Sequence, residues 1–272
     1  MLVCLPQPYD FALSVARYRV YGVDRATFWR DDGLHRVFAG REARIEAAPD
    51  GVDVEPYDAA IEAEVLRFLG APFDLDAFGA WAARDETLAR LVTALAGFRP
   101  PLQTNPFEAL VTSITAQQVS LQSAAAIRSR FIERYGIPAV HAHAFPERER
   151  VARATEDELI SVGFSTRKAE YVVGLARSDL ELDELAQLSD EEVSARLVAI
   201  RGLGEWTADW FLARHLARPH AWPAGDLGLR KAVAAFYGDV PDLRAFAADR
   251  FHPFQNLTAH YLLTGLRVLP PA

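Results

Sequence analysis

Residues 200 to 211 read Ile-Arg-Gly-Leu-Gly-Glu-Trp-Thr-Ala-Asp-Trp-Phe, and the two glycines open a helical pattern. Backbone N–H groups at a helix start lack intrahelical partners and lie at the positive end of the helix dipole, so a glycine-rich entry suits a phosphate. A helix–helix loop that uses glycine for positive φ would look the same. Further along, Asp226 precedes another helical pattern, where an aspartate serves as N-cap and also offers a carboxylate. Between them, Trp206 and Trp210 stand four residues apart on one helix face.

Ser189 to Ile200 reads as one helix, Arg201 to Gly204 as a tight connection, and Glu205 to about Leu216 as the next helix. The result is a helix–hairpin–helix over 190–216. A dinucleotide fold would want a strand before the glycines and a third glycine after them. Here a capped helix precedes, and Trp206 and Thr207 follow, which argues against it. Helical periodicity runs through most of the chain after Tyr57, with capping boxes at Thr155/Glu158 and Ser189/Glu192 and a cap followed by proline at Asn105-Pro106. Before Tyr57, Leu34 onward alternates, and Pro49-Asp50-Gly51 separates two alternating runs, which predicts an antiparallel hairpin. The expected organisation is an N-terminal α+β domain over 1–75 and a helical domain over 76–272.

Composition is that of an ordinary globular protein, 50% hydrophobic and 24% charged. The single cysteine, Cys4, excludes an internal disulfide, a zinc site of several cysteines and an iron–sulfur cluster. The first residues carry no early Lys or Arg and include Pro6 and Pro8, and no apolar run reaches transmembrane length. A cytoplasmic protein, with no membrane partner and acting as a monomer, is expected. The net charge of −8 argues against non-specific coating of nucleic acid, which relies on Lys and Arg releasing counterions. The distribution is uneven, however: acidic residues crowd into 179–192, and the glycine turn lies in a stretch with six Lys and Arg against three Asp and Glu over 193–233.

Taken together, Gly-Leu-Gly-x-x-Thr-Ala on the hairpin and an Asp at a later helix start resemble the helix–hairpin–helix DNA glycosylase superfamily. The stretch VTSITAQQVS at 111–120 is similar to that family's base-displacing loop, GFSTRKAEYVVGL at 163–175 to its helix ahead of the hairpin, and His252-Pro253-Phe254 to its last segment. The N-terminal PYDFAL and the sheet resemble the extra domain of the 3-methyladenine DNA glycosylase II branch. The resemblance covers essentially the whole chain. It implies a mainly α fold of two helical subdomains with an N-terminal antiparallel-sheet domain, and a partner that is double-stranded DNA containing damaged bases.

The resemblance also implies roles. Asp226 is the candidate catalytic carboxylate, placed to stabilise an oxocarbenium-like sugar and to orient or deprotonate water. Trp206 and Trp210 are candidates to stack on a cationic base, though core packing is the ordinary fate of large aromatics, and Leu227 sits where relatives carry a pocket aromatic. Gln118 matches the intercalating residue, while Gly202, Gly204 and Thr207 would meet DNA phosphate. No cofactor is required. Relatives hold a Na or K ion at the hairpin through backbone carbonyls, here those of Val198, Ile200 and Leu203.

Two departures sharpen the reading. Strand-cutting members place a nucleophilic lysine two residues after the second glycine, and this chain has Trp206 there, which implies a monofunctional enzyme leaving an abasic site. Gln255-Asn256 stands where relatives often have Arg-Ser. Fewer pocket aromatics imply a wider pocket, so hypoxanthine or uracil are alternative substrates. A non-catalytic DNA-binding protein is the alternative from another class.

Overall fold

The computed structural model describes residues 1–269. In chain order it comprises β1 (Leu2–Cys4), α1 (Phe11–Val15), α2 (Arg17–Val20), β2 (Thr27–Arg30), β3 (Gly33–Phe38), β4 (Arg41–Ala48), β5 (Gly51–Glu55), α3 (Ala59–Phe68), α4 (Leu75–Ala82), α5 (Glu86–Ala94), α6 (Pro106–Ala116) and α7 (Leu121–Tyr135). There follow β6 (Ile137–Pro138), β7 (His143–Ala144), α8 (Arg148–Ala152), α9 (Glu156–Ser161), α10 (Thr166–Arg177), a 3₁₀ turn at Asp183–Gln187, α11 (Asp190–Val198), α12 (Glu205–Arg214), α13 (Leu227–Tyr237), α14 (Leu243–Arg250) and α15 (Gln255–Val268).

The N-terminal sheet has the order β1-β5-β4-β3-β2, antiparallel throughout. Pro49-Asp50 joins β4 to β5 at the expected place, with Ala48 opposite Gly51. The alternating run from Leu34 folds as two strands instead of one. Ala39 and Gly40 both take positive φ, 46° and 76°, the conformation that closes a two-residue hairpin with the native twist. Asn-Gly or Asp-Gly would have advertised this turn. Ala39-Gly40 does not.

Behind the sheet, Val3, Phe38, Ile45, Val54 and Phe68 belong to one hydrophobic cluster confined to residues 3–69. The helical part divides in two. One cluster gathers residues of 107–221 around Ile114, Phe131, Val172 and Phe211. The other unites 73–102 with 222–262, through Phe78, Leu91, Leu229 and Phe251. The chain thus leaves the second helical subdomain near Leu102, builds the first, and returns near Trp222, immediately before Asp226.

The expected caps form: Thr155 and Glu158 exchange backbone and side-chain hydrogen bonds, as do Ser189 and Glu192, and Asn105 Oδ1 accepts from Glu108 N–H at 2.9 Å. The N-terminal sheet is tied to the helices by buried charge. Glu108 of α6 takes Arg36 of β3 at 2.6 and 3.2 Å and Arg128 of α7 at 2.6 Å, and Arg128 Nε also donates to Asp24 at 3.0 Å. Among the described residues, no helix is long and apolar enough to cross a membrane.

Candidate active site

Helix α11 ends at Val198, and the chain turns through Arg201-Gly202-Leu203 into α12, which begins after Gly204. Gly202 has φ +92°, and a Cβ there would lie 2.1 Å from the Tyr171 ring of α10, so this glycine lets the hairpin close against its neighbour. Gly204 differs. It is exposed, a Cβ on it would meet open space, and as N-cap it has no side chain to satisfy the first N–H groups of α12. Of the two, Gly204 is the one with backbone facing outward.

Asp226 caps α13: its Oδ1 accepts the Leu229 N–H at 2.9 Å. Its Oδ2 accepts both indole N–H groups, Trp206 Nε1 at 3.0 Å and Trp210 Nε1 at 3.0 Å. The i, i+4 spacing on α12 therefore aims two ring edges at one oxygen. A carboxylate has about four acceptor positions. Three are taken by fixed donors, leaving one, on Oδ1, for a water or a substrate.

This group borders a cavity of about 1180 Å³ between the helical subdomains and the N-terminal helices. Trp206, Trp210, Leu227, Gln118, Gly204 and Thr207 also border it. Of the carboxylates lining it, Asp24 and Glu108 are held in ion pairs with arginines, while Asp226 has no ion-pair partner among the described residues. Asp209, on the same helix as the tryptophans, has its carboxyl pushed up to about 6 by burial, against the pull of Arg244. It faces Arg244 of α14 at 3.2 Å and does not line the cavity.

Two expected contacts change in the structure. Trp210 is 2% exposed, and the Arg214 guanidinium lies 3.4 Å from its ring centroid, so one of its faces is occupied by a cation of the protein itself. Its N–H, aimed at Asp226, is its available chemistry. Thr207 is 1% exposed, with Oγ1 3.5 Å from Gln117 Nε2, so its side chain lies behind the surface that a phosphate would touch. Leu227 is 73% exposed at the cavity margin.

Gln118 lies within the α6–α7 connection in an exposed position with φ +54°, sparsely populated for a residue with a side chain. Val119 and Leu121 beside it are exposed apolar residues. Gln117 anchors this connection to the hairpin, donating to the Gly202 carbonyl at 3.0 Å. Asn256 is buried and donates to the Ala213 and Arg218 carbonyls, both at 3.0 Å, which gives it a structural role. Among the described residues, the Val198 and Leu203 carbonyls accept no hydrogen bond, and the Ile200 carbonyl accepts Leu203 N–H at 3.0 Å. Hard oxygen donors with spare lone pairs fit a monovalent ion.

Sequence reasoning missed several cavity residues. Tyr18 and Tyr21 come from or follow α2, a four-residue helix with no periodicity to detect, and His260 comes from α15. Arg214 had a signal: Trp206, Trp210 and Arg214 succeed one another at intervals of four along α12.

Residues 111–244 match the HhH-GPD superfamily of base excision DNA repair proteins. The chain is 30% identical over 271 residues to DNA-3-methyladenine glycosylase 2 of Escherichia coli, covering 92% of this chain and 91% of that one. It belongs to this superfamily, in the 3-methyladenine glycosylase II branch. The DNA-3-methyladenine glycosylase of Bacillus subtilis is 30% identical over 193 residues, and the match takes in 66% of this chain and 64% of that protein. The family fold extends over nearly the full length. A solved 3-methyladenine DNA-glycosylase from Archaeoglobus fulgidus superposes with a TM-score of 0.87 at 24% identity, over 98% of this chain and 99% of that one.

Proposed function

We propose that this chain is a monofunctional DNA glycosylase that excises alkylated, 3-methyladenine-type bases from duplex DNA, acting as a single chain and leaving an abasic site. The observation that carries the reading is Asp226: a carboxylate in no ion pair with any described residue, fixed by three N–H donors, with one acceptor position left beside a large cavity.

When the C1′–N bond breaks, its electron pair leaves with the base. An N-alkylated purine already carries positive charge and so departs neutral, without a general acid. The positive charge that develops on the sugar falls opposite the Asp226 carboxylate. Water adds to C1′, and its proton passes to the remaining acceptor position of Asp226 and on to solvent. The Trp206 and Trp210 N–H groups keep the carboxylate aimed throughout, and the faces that remain free line the cavity.

To bring a base here, the nucleotide must leave the stack, and Gln118, held out at the tip of its connection, fills the gap. The α12 N-terminus at Gly204 receives a backbone phosphate. The Val198, Ile200 and Leu203 carbonyls would hold a Na or K ion, whose charge reinforces that contact.

Two lysines occur in the chain, Lys168 and Lys231. Lys168 is buried and donates to the Thr115 carbonyl at 2.8 Å, Lys231 is exposed, and neither lines the cavity. Borohydride added during turnover should therefore trap no protein on DNA, because an amine must attack the sugar to make a reducible imine. The product strand should stay intact until alkali is added. Covalent trapping in good yield would contradict the monofunctional reading and leave base excision standing.

A further inference from the structure

The Arg214 guanidinium borders the cavity, with one side against the Trp210 ring at 3.4 Å. It makes no hydrogen bond and no ion pair with any described residue, and its Nε is sealed from solvent. Burial drives its pKa down; Arg17 and Arg267 act in the same direction, while Asp226 and Tyr18 oppose them. An arginine holds its proton regardless, so the structure carries a charged, partly desolvated five-donor fork that no described residue receives. Unpartnered buried donors are rare and unfavourable. Here the open side of the fork faces a cavity that also contains the free acceptor position of Asp226.

We propose that Arg214 reads the displaced base, its fork donating to the O6/N7 edge of a guanine-type base. The assignment rests on the glycosylase reading and specifies which bases that site takes best. Guanine and its N3-methylated form present two acceptors on this edge, the geometry that a guanidinium meets bidentately. Adenine and its N3-methylated form present one acceptor and an N6 amino group, so a donor meets a donor. Both N3-methylated purines carry the same positive charge before excision and leave as neutral molecules. Comparing them therefore isolates the edge from the charge. The aromatic face of Trp210 fixes the plane of the fork and keeps it from collapsing onto Asp226.

The test is release of free bases from duplex DNA treated with a methylating agent, resolved by chromatography into 3-methylguanine and 3-methyladenine. Arg214→Lys keeps the charge and loses the fork, and Arg214→Met keeps the stem and loses both. In each, 3-methylguanine release should fall about tenfold or more relative to 3-methyladenine, since a bidentate contact discriminates by about 1–3 kcal/mol. If Arg214 served only to hold Trp210 and through it Asp226, both bases would fall together and their ratio would not move; that result overturns the proposal. Inhibition of the unaltered protein by the two free methylated bases gives a second readout that needs no variant. The guanine-type base should inhibit about tenfold more strongly, and equal inhibition refutes the assignment. Release of neither base by the unaltered protein would instead sink the glycosylase reading on which the assignment rests.

Discussion

Asp226→Asn should lower the single-turnover rate of base release by about 10²-fold or more, the scale seen when one preorganised charge-stabilising group is removed, with duplex affinity intact or improved. The hydrogen bonds explain why so conservative a change should be so costly. With its amide oxygen capping α13, the asparagine would point an NH₂ group at the two indole N–H donors that now meet Oδ2. With the amide reversed, the NH₂ would face the Leu229 N–H. Either orientation sets donor against donor, and neither carries the charge that opposes a sugar cation. Affinity should not suffer, because a negative group near phosphate is lost. Rates from methylated duplex under enzyme excess, with binding by fluorescence anisotropy, separate the two effects. Near-normal turnover would remove Asp226 from the mechanism.

A second large effect is expected at Glu108, whose buried carboxylate is shared by two arginines. Glu108→Ala would leave Arg36 and Arg128 buried without their shared carboxylate, and breaking a buried pair from one side costs about 3–5 kcal/mol. In a chain of this size that corresponds to a fall in Tm on the order of 10 °C. Burial alone would raise the Glu108 carboxyl; the two guanidiniums more than reverse this and hold it at about 2, below its ordinary 4.5. A carboxyl with a depressed folded pKa stabilises the fold above its unfolded value, and that stability is lost as pH falls through the folded value. The unaltered protein should therefore lose stability between about pH 4.5 and pH 2 with a slope that Glu108→Ala lacks. Denaturant titrations across that range measure both quantities. An unchanged Tm would mean that the ion cluster does not bind the sheet to the helices.

The parts of the molecule that were legible in the sequence share a physical property: their signals are local. Ser189 with Glu192, Asn105 before Pro106, and Gly202-Leu203-Gly204 each announce a cap or turn within four residues, and the helices they bound formed as expected. Asp226 stood out for the same reason, as the cap before a helix. What stayed hidden depends on contacts across the chain. That Asp226 serves as cap and indole acceptor at once requires α12 and α13 to meet, sixteen to twenty residues apart. The pairing of β1 with β5 spans about fifty residues, and Leu2–Cys4 has no pattern of its own. Arg36, Glu108 and Arg128 come from three elements, and nothing near any one of them names the others.

Free base is the most direct readout of the whole account. Incubation of the unaltered protein with methylated duplex DNA, followed by chromatography of the ethanol-soluble fraction, should yield methylated purines in step with alkali-labile sites in a strand that remains intact. Failure to release any base, with duplex binding retained, would contradict the account at its centre and leave a helix–hairpin–helix protein that holds DNA without acting on it.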